Sequence, residues 1–210
     1  MNRHPDIKNE YSCLILAGGK SSRMGHNKAT LKWNGISFLD HIIFKIRCAG
    51  IETILISGQG YEEKPFESVK DLYPERGPLG GIHAGLKKIQ TPYCFVLPVD
   101  VPGIPVFVLE ELIEYHHHVL MSEPSCNPVV LWEHGDRKEP LIGIYPVEMA
   151  DRIGELIKEG PAPVFRMLDR WPYLCHRIEI NKNMIVNINT RAKYRKLKEM
   201  EYEQAIGFDL

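Results

Sequence analysis

Short apolar runs alternate along this chain with stretches whose apolar residues recur every three or four positions. The first run, YSCLILAG (11–18), closes on glycine and predicts a buried strand. Further on, Phe38, Leu39, Ile42, Ile43 and Ile46 fall on one side of a helix, with Ser37 as its N-cap and Gly50 just past its end. IETILISG and FESVKD predict two more strands, and GGIHAGLKKI a helix led by glycines. YCFVLPVD reads as a strand ending in an acid, and PVFVLEELIEYHHH as a helix with Pro105 at its first position. The pattern then changes. NPVVLW and EPLIGIYP predict two strands close together, in antiparallel pairing. VEMADRIGELIKEG and APVFRMLDR predict helices, YLCHRIEI and MIVNINT strands, and Thr190 caps a last helix. Polar loops near 58–65 and 132–138 are the expected mobile segments. With no repeat, low-complexity tract or linker, this alternation predicts an α/β fold of βαβ units in a single domain over residues 1–210.

Composition narrows the function. The 210 residues carry a formal net charge of -1, which argues against wholesale binding to nucleic acid or an anionic membrane, so any anion site must be local. No apolar stretch approaches the roughly 20 residues that span a bilayer. The opening MNRHPDIKNEY has no apolar core and does not read as a signal peptide. Cys13, Cys48, Cys94, Cys126 and Cys175 are scattered, odd in number and without a CxxC, as reduced thiols in a cytoplasmic protein would be. A monomer or weak homo-oligomer is expected.

The candidate chemistry begins where the first strand ends. LAGGKSSRMGHNK (16–28) gathers two glycines and the cations Lys20, Arg23 and Lys28. Glycines after a strand let backbone N–H groups approach an anion, and open α/β sheets bind ligands at strand ends. A Walker A loop needs a glycine five positions before Gly19, where Leu14 stands, so that motif fails. The dinucleotide fingerprint G-x-G-x-x-G is absent as well. A solvated surface loop is the competing reading of any isolated Gly-Gly-Lys.

The loop resembles the signature of the nucleotidyltransferase superfamily, and within it the molybdenum cofactor guanylyltransferases. KDLYPERGPLGGIHAGL, VLPVDVPGIP and VNINT fit that family in the right order, with a weaker match in EPLIGIYP. The resemblance implies a three-layer α/β/α sandwich with a mostly parallel, Rossmann-like sheet. It implies GTP and molybdopterin as substrates, Mg2+ as cofactor, and other proteins of molybdenum cofactor biosynthesis as partners. The implied reaction is attack by the terminal phosphate of molybdopterin on the α-phosphorus of GTP. That nucleophile is already anionic, so positioning, metal and cations carry the catalysis rather than a general base.

Within the resemblance, Arg23 and Lys28 neutralise the β- and γ-phosphates, Arg as a bidentate clamp and Lys as a point charge. Leu16, Ala17, Gly18 and Gly19 lay backbone against the nucleotide. Asp100 at its strand end holds the magnesium, with Asn187, Asn189 or water completing the shell. Asp71 contacts the nucleotide, with a ribose hydroxyl as its chemically sensible partner, and Ser57 hydrogen-bonds the nucleotide. Gly77, Gly80 and Gly81 let backbone lie against the base. The chain departs from the family at Asn27, where aspartate is usual, and at Ser57, where asparagine is common; NINTRAKY lacks the usual Pro-acid-acid.

Other features earn no role. The consecutive His116, His117 and His118 point different ways on a helix and read as its solvated end. Trp33, Trp132 and Trp171 read as packing. Arg166 and Arg170 are candidates for holding the pterin, against the plainer reading of an amphipathic helix. The rival functions are a cytidylyltransferase or sugar-nucleotide pyrophosphorylase on the same scaffold, and a non-catalytic nucleotide-binding module.

Overall fold

The computed structural model describes residues 6–18, 28–58, 66–73, 76–180 and 188–206. The apolar run after helix α1 (Ile7–Glu10) becomes β1 (Tyr11–Leu16), the middle of the main sheet. Beside it lie β4 (Thr53–Ser57) and β6 (Tyr93–Pro98), both parallel to it, with β5 (Glu67–Val69) parallel to β4. On the far side of β6 come β8 (Arg137–Pro146), β7 (Val129–His134) and β9 (Tyr173–Arg177). Among the described residues the order is β5-β4-β1-β6-β8-β7-β9, and β8 alone runs antiparallel to its neighbours. A small ribbon of β2 (Lys32–Trp33) and β3 (Ile36–Ser37) stands apart from this sheet.

Alternation along the strands sends side chains into two cores. Tyr11, Cys13 and Ile15 of β1, Ile54 and Ile56 of β4, and Phe95 and Leu97 of β6 pack on one face. That face is covered by α2 (Phe38–Cys48), α4 (Val106–Ser122) and the start of α7 (Arg191–Ile206), through Ile42, Leu109 and Leu197. Leu14, Leu55, Cys94 and Val96 face the other way, under α3 (Pro78–Leu86), α5 (Ala150–Lys158) and α6 (Val164–Leu168). Burial of each such Leu or Ile contributes about 1.5–3 kcal/mol. The result is the three-layer α/β/α sandwich that the resemblance implies.

Local chemistry sets the helix ends. Ser37 Oγ accepts the Asp40 N–H at 3.1 Å, and Gly50 takes φ +85° just beyond α2, as the pattern predicts. Thr190 Oγ1 accepts the Lys193 N–H at 3.3 Å at the start of α7. Helix α3 begins at Pro78, two residues before the glycines. Its glycines serve close approach: a methyl group on Gly85 would collide with the Leu14 side chain of β1.

Three expectations are corrected. Pro105 is the N-cap residue of α4, one position outside the helix. The helix also runs on to Ser122, so the histidines lie inside it; His116 is fully buried rather than solvated. Residues 132–138 form a hairpin: β7 and β8 pair down to His134 and Arg137, and Gly135 supplies a positive φ at the turn. The other expected mobile segment lies outside the described residues from 59 to 65, as does most of MIVNINT; its described part, 188–190, is not a strand.

Candidate active site

At the C-terminal edge of β1 the chain reverses its direction of travel across the sheet. After β1 it first adds β4 and β5 on one side, then crosses over to β6 on the other. Ligands of open α/β sheets bind at such a switch. Here a short 3-10 turn, Lys28–Thr30, brings Lys28 back to the sheet. Its ammonium donates to Asp100 Oδ2 at 2.8 Å and to Asn189 Oδ1 at 2.8 Å. Three residues from three separate parts of the sequence thus meet within one hydrogen-bond length of a single nitrogen.

Backbone fixes this cluster. The Val99 N–H donates to Leu16 O at 3.1 Å, so the turn carrying Asp100 is tied to the end of β1. The Ile188 N–H donates to Asp100 O at 2.9 Å, which delivers Asn189. Lys45 of α2 donates to the Pro102 carbonyl from below, and burial pulls its ammonium down to about 8. The Lys28 and Asp100 side chains are only 23% and 14% exposed, so their charges are partly shielded from water.

Leu16 and Ala17 connect this cluster to a second group of predicted residues. The Ala17 N–H donates to Ser57 O at 2.9 Å, and a side chain on Gly18 would lie 3.5 Å from that same oxygen. Beneath them is the N-terminus of α3. A methyl on Gly81 would lie 2.5 Å from Ser57 Oγ, and one on Gly80 2.5 Å from both Asp71 carboxylate oxygens. Ser57 and Asp71 therefore rest on the first turn of α3 because Gly80 and Gly81 present no side chains to them. Asp71 Oδ1 also accepts the Tyr73 N–H at 2.8 Å, the local turn expected of an aspartate at a strand end. Leu16, Ala17, Gly18, Lys28, Ser57, Asp71 and Asp100 thus share one edge of the sheet. Gly19, Lys20, Arg23 and Asn27 lie outside the described residues.

Asp100 Oδ1 is buried and has no hydrogen-bond partner among the described residues. An anionic oxygen without a donor is the arrangement a hard divalent cation satisfies, so the residues fit a magnesium ion. The Asp100 motif itself holds no second acid; at the same edge of the sheet, the antiparallel register of β6 and β8 brings Glu139, near the start of β8, toward the end of β6. On β8, Gly143 and Glu139 pair with the consecutive residues Leu131 and Trp132 of β7, so the register slips by three residues in between. The slip sets Glu139 beside Trp132. Burial raises the Glu139 carboxyl, Arg137 opposes the rise, and the Asp100 charge adds to it.

Residues 13–171 match the profile of the MobA-like NTP transferase domain, about three-quarters of the chain. The chain belongs to this family. It is a nucleotidyltransferase, and the edge just described is the part of a MobA-like transferase where its predicted residues converge. A "probable molybdenum cofactor guanylyltransferase" of Clostridium perfringens is 34% identical over 199 residues, spanning 89% of this chain and 95% of that protein. The molybdenum cofactor guanylyltransferase of Syntrophotalea carbinolica is 31% identical over 195 residues, spanning 88% and 89%. Among solved structures, molybdopterin-guanine dinucleotide biosynthesis protein A of Archaeoglobus fulgidus superposes with a TM-score of 0.70 at 20% identity, over 91% of this chain and 99% of that one. That likeness is one of fold.

In this MobA-like transferase, Arg166 and Arg170, the sequence candidates for the pterin, are both paired with Glu159 of α5's C-terminal end. Arg170 makes the fork-to-fork contact, at 2.8 Å on both sides. Among the described residues, no helix is long and apolar enough to cross a membrane.

Proposed function

We propose that this protein transfers GMP from GTP to molybdopterin, joining them as a dinucleotide cofactor and releasing pyrophosphate. The observation that carries the reading is the Lys28–Asp100–Asn189 cluster at the switch point, in a chain whose relatives are named as guanylyltransferases. A lysine ammonium and a carboxylate with one buried oxygen unpartnered among the described residues stand together, a pairing that suits a triphosphate tail and its metal.

In the reaction, an oxygen of the acceptor's terminal phosphate forms a bond to the α-phosphorus of GTP. The bond from that phosphorus to the β-phosphate oxygen breaks, and pyrophosphate carries away the electron pair. No proton must be removed from the nucleophile at neutral pH, so the chain's task is to hold two anions together. Leu16, Ala17, Gly18 and Gly19 lay backbone along the nucleotide. Lys28 and Arg23 take the β- and γ-phosphates, with Lys28 leaving Asp100 and Asn189 for the phosphate oxygens. Ser57 and Asp71, held on the glycine turn of α3, meet the nucleoside, Asp71 through a ribose hydroxyl. Asp100 would hold Mg2+, with Asn189 as the neutral oxygen beside it; when bound, the ion offsets charge on the phosphates.

The test is direct. Full-length protein incubated with GTP, Mg2+ and molybdopterin should release pyrophosphate and form the guanine dinucleotide. Thermal shift with GTP, CTP, UTP and ATP, each with Mg2+, should show the largest stabilisation with GTP. Selective stabilisation by CTP would move the assignment to a cytidylyltransferase, and tight GTP binding without product to a non-catalytic module.

A further inference from the structure

Toward the same edge of the sheet, the tip of the β7–β8 hairpin and α6 line an open groove of about 560 Å³, formed by residues 136–141 and Phe165. Phe165 is 47% exposed there, an aromatic ring left for something flat to cover. Leu141 adds apolar surface. Glu139 joins the groove to the site: it lines the one, and the antiparallel register of β6 and β8, Val96 opposite Gly143, carries the start of β8 toward the strand end that bears Asp100. Glu139 Oε1 forms an ion pair with Arg137, 2.9 Å from Nε. A guanidinium has five N–H donors in a rigid fork, suited to an anionic oxygen. The terminal nitrogens of Arg137 have no other partner among the described residues, and the side chain is 77% exposed. The neighbouring cation is already engaged: Lys138 donates to Tyr173 Oη at 3.1 Å and lies 5.0 Å from that ring's centroid.

We infer that this groove receives the acceptor, with its planar ring on Phe165 and its phosphate clamped by Arg137, which Glu139 holds in place as a positioning residue. The inference rests on the reading above, that the acceptor is molybdopterin. The electrostatics favour the pair acting together. A lone carboxylate at this edge of the sheet would repel an anionic nucleophile; paired with Arg137, it presents a cation toward the incoming phosphate instead.

The test titrates molybdopterin into the full chain and its variants by pterin fluorescence, with GTP affinity measured by calorimetry on the same samples. Arg137→Ala should weaken molybdopterin binding about tenfold or more, the loss of a charge-assisted phosphate contact. GTP affinity should stay within about twofold. Glu139→Gln keeps a side-chain oxygen beside Arg137 and should hold molybdopterin within about threefold of wild type, while Glu139→Ala loses more. Lys138→Ala should change little. In steady state, the Arg137 variant should raise KM for molybdopterin at nearly unchanged kcat. Wild-type binding undiminished by Arg137→Ala, or an equal loss in Lys138→Ala, would overturn the clamp alone. A wild type that binds GTP but no molybdopterin would overturn the functional reading and the clamp with it.

Discussion

The two ends of β1 bury polar groups in opposite ways. At its C-terminal end, Lys28 and Asp100 stay at the rim, partly exposed, with one carboxylate oxygen lacking a partner among the described residues. At its N-terminal end, Tyr11 and His116 share a hydrogen bond at 2.8 Å, and both are fully buried. Tyr93 closes over them, its ring centroid 4.5 Å from that of His116. Burial, with a smaller push from His117, pulls the His116 imidazole down to about 4, and burial holds the Tyr11 phenol protonated far above its ordinary range. Each end leaves one buried atom without a partner among the described residues, Asp100 Oδ1 at one and His116 Nε2 at the other, but only the first end keeps its charges. An anionic oxygen at a rim invites a cationic ligand, whereas a neutral pair sealed in a core serves the fold.

The comparison can be broken at four points. Asp100→Ala should lower turnover by about a thousandfold or more, the scale of losing the main charge partner of a phosphoryl-transfer site. Its melting temperature should stay within about 3 °C of wild type, since Lys28 keeps Asn189 and reaches water. Mn2+ binding followed by electron paramagnetic resonance should disappear in the same variant. A large stability loss instead would mean that Asp100 serves the fold, as His116 does.

His116→Ala should do the reverse, costing about 3 kcal/mol through a cavity and an orphaned Tyr11 hydroxyl, roughly 6–12 °C in melting temperature, with kcat unchanged. The sign of its pH dependence follows. The folded protein prefers neutral His116, at about 4 against an ordinary 6.5, so the unfolded chain binds the extra proton. Its contribution is complete above about pH 6.5 and is lost as pH falls toward 4, on the order of 3 kcal/mol in all. Thermal melts of the wild type should steepen in that window, and the variant should lose that part of the slope. Third, Lys28→Ala should weaken GTP binding about 10- to 100-fold by calorimetry, with little change in stability. The smallest effect is expected of Tyr11→Phe, a loss of about 1–2 kcal/mol in denaturant unfolding with GTP affinity unchanged.

Elements governed by neighbours in the chain were legible before any coordinates. Ser37, the spacing from Phe38 to Ile46, and Gly50 together specify α2 from cap to cap, because a helix closes its bonds within four residues. The loop after β1, Lys28 and Asp100 were legible as a resemblance, and the fold brings the last two into contact. What depended on distant pairing was not legible. The histidine run read as a solvated helix end because nothing local says that α4 continues to Ser122 or that Tyr11, 105 residues from His116, waits for it. Glu139 stayed hidden behind its motif, since a three-residue slip between β7 and β8 has no signature along one strand. By itself, then, the sequence determined most of the strands and helices, the caps of α2 and α7, and which chemistry follows β1. Only the tertiary structure decided that β8 enters antiparallel beside β6, that Asn189 and Glu139 reach the neighbourhood of Asp100, and that His116 is sealed. Hydrogen bonds within a turn are settled by a few adjacent residues, whereas strand order and burial are settled by the whole chain competing for two faces of one sheet.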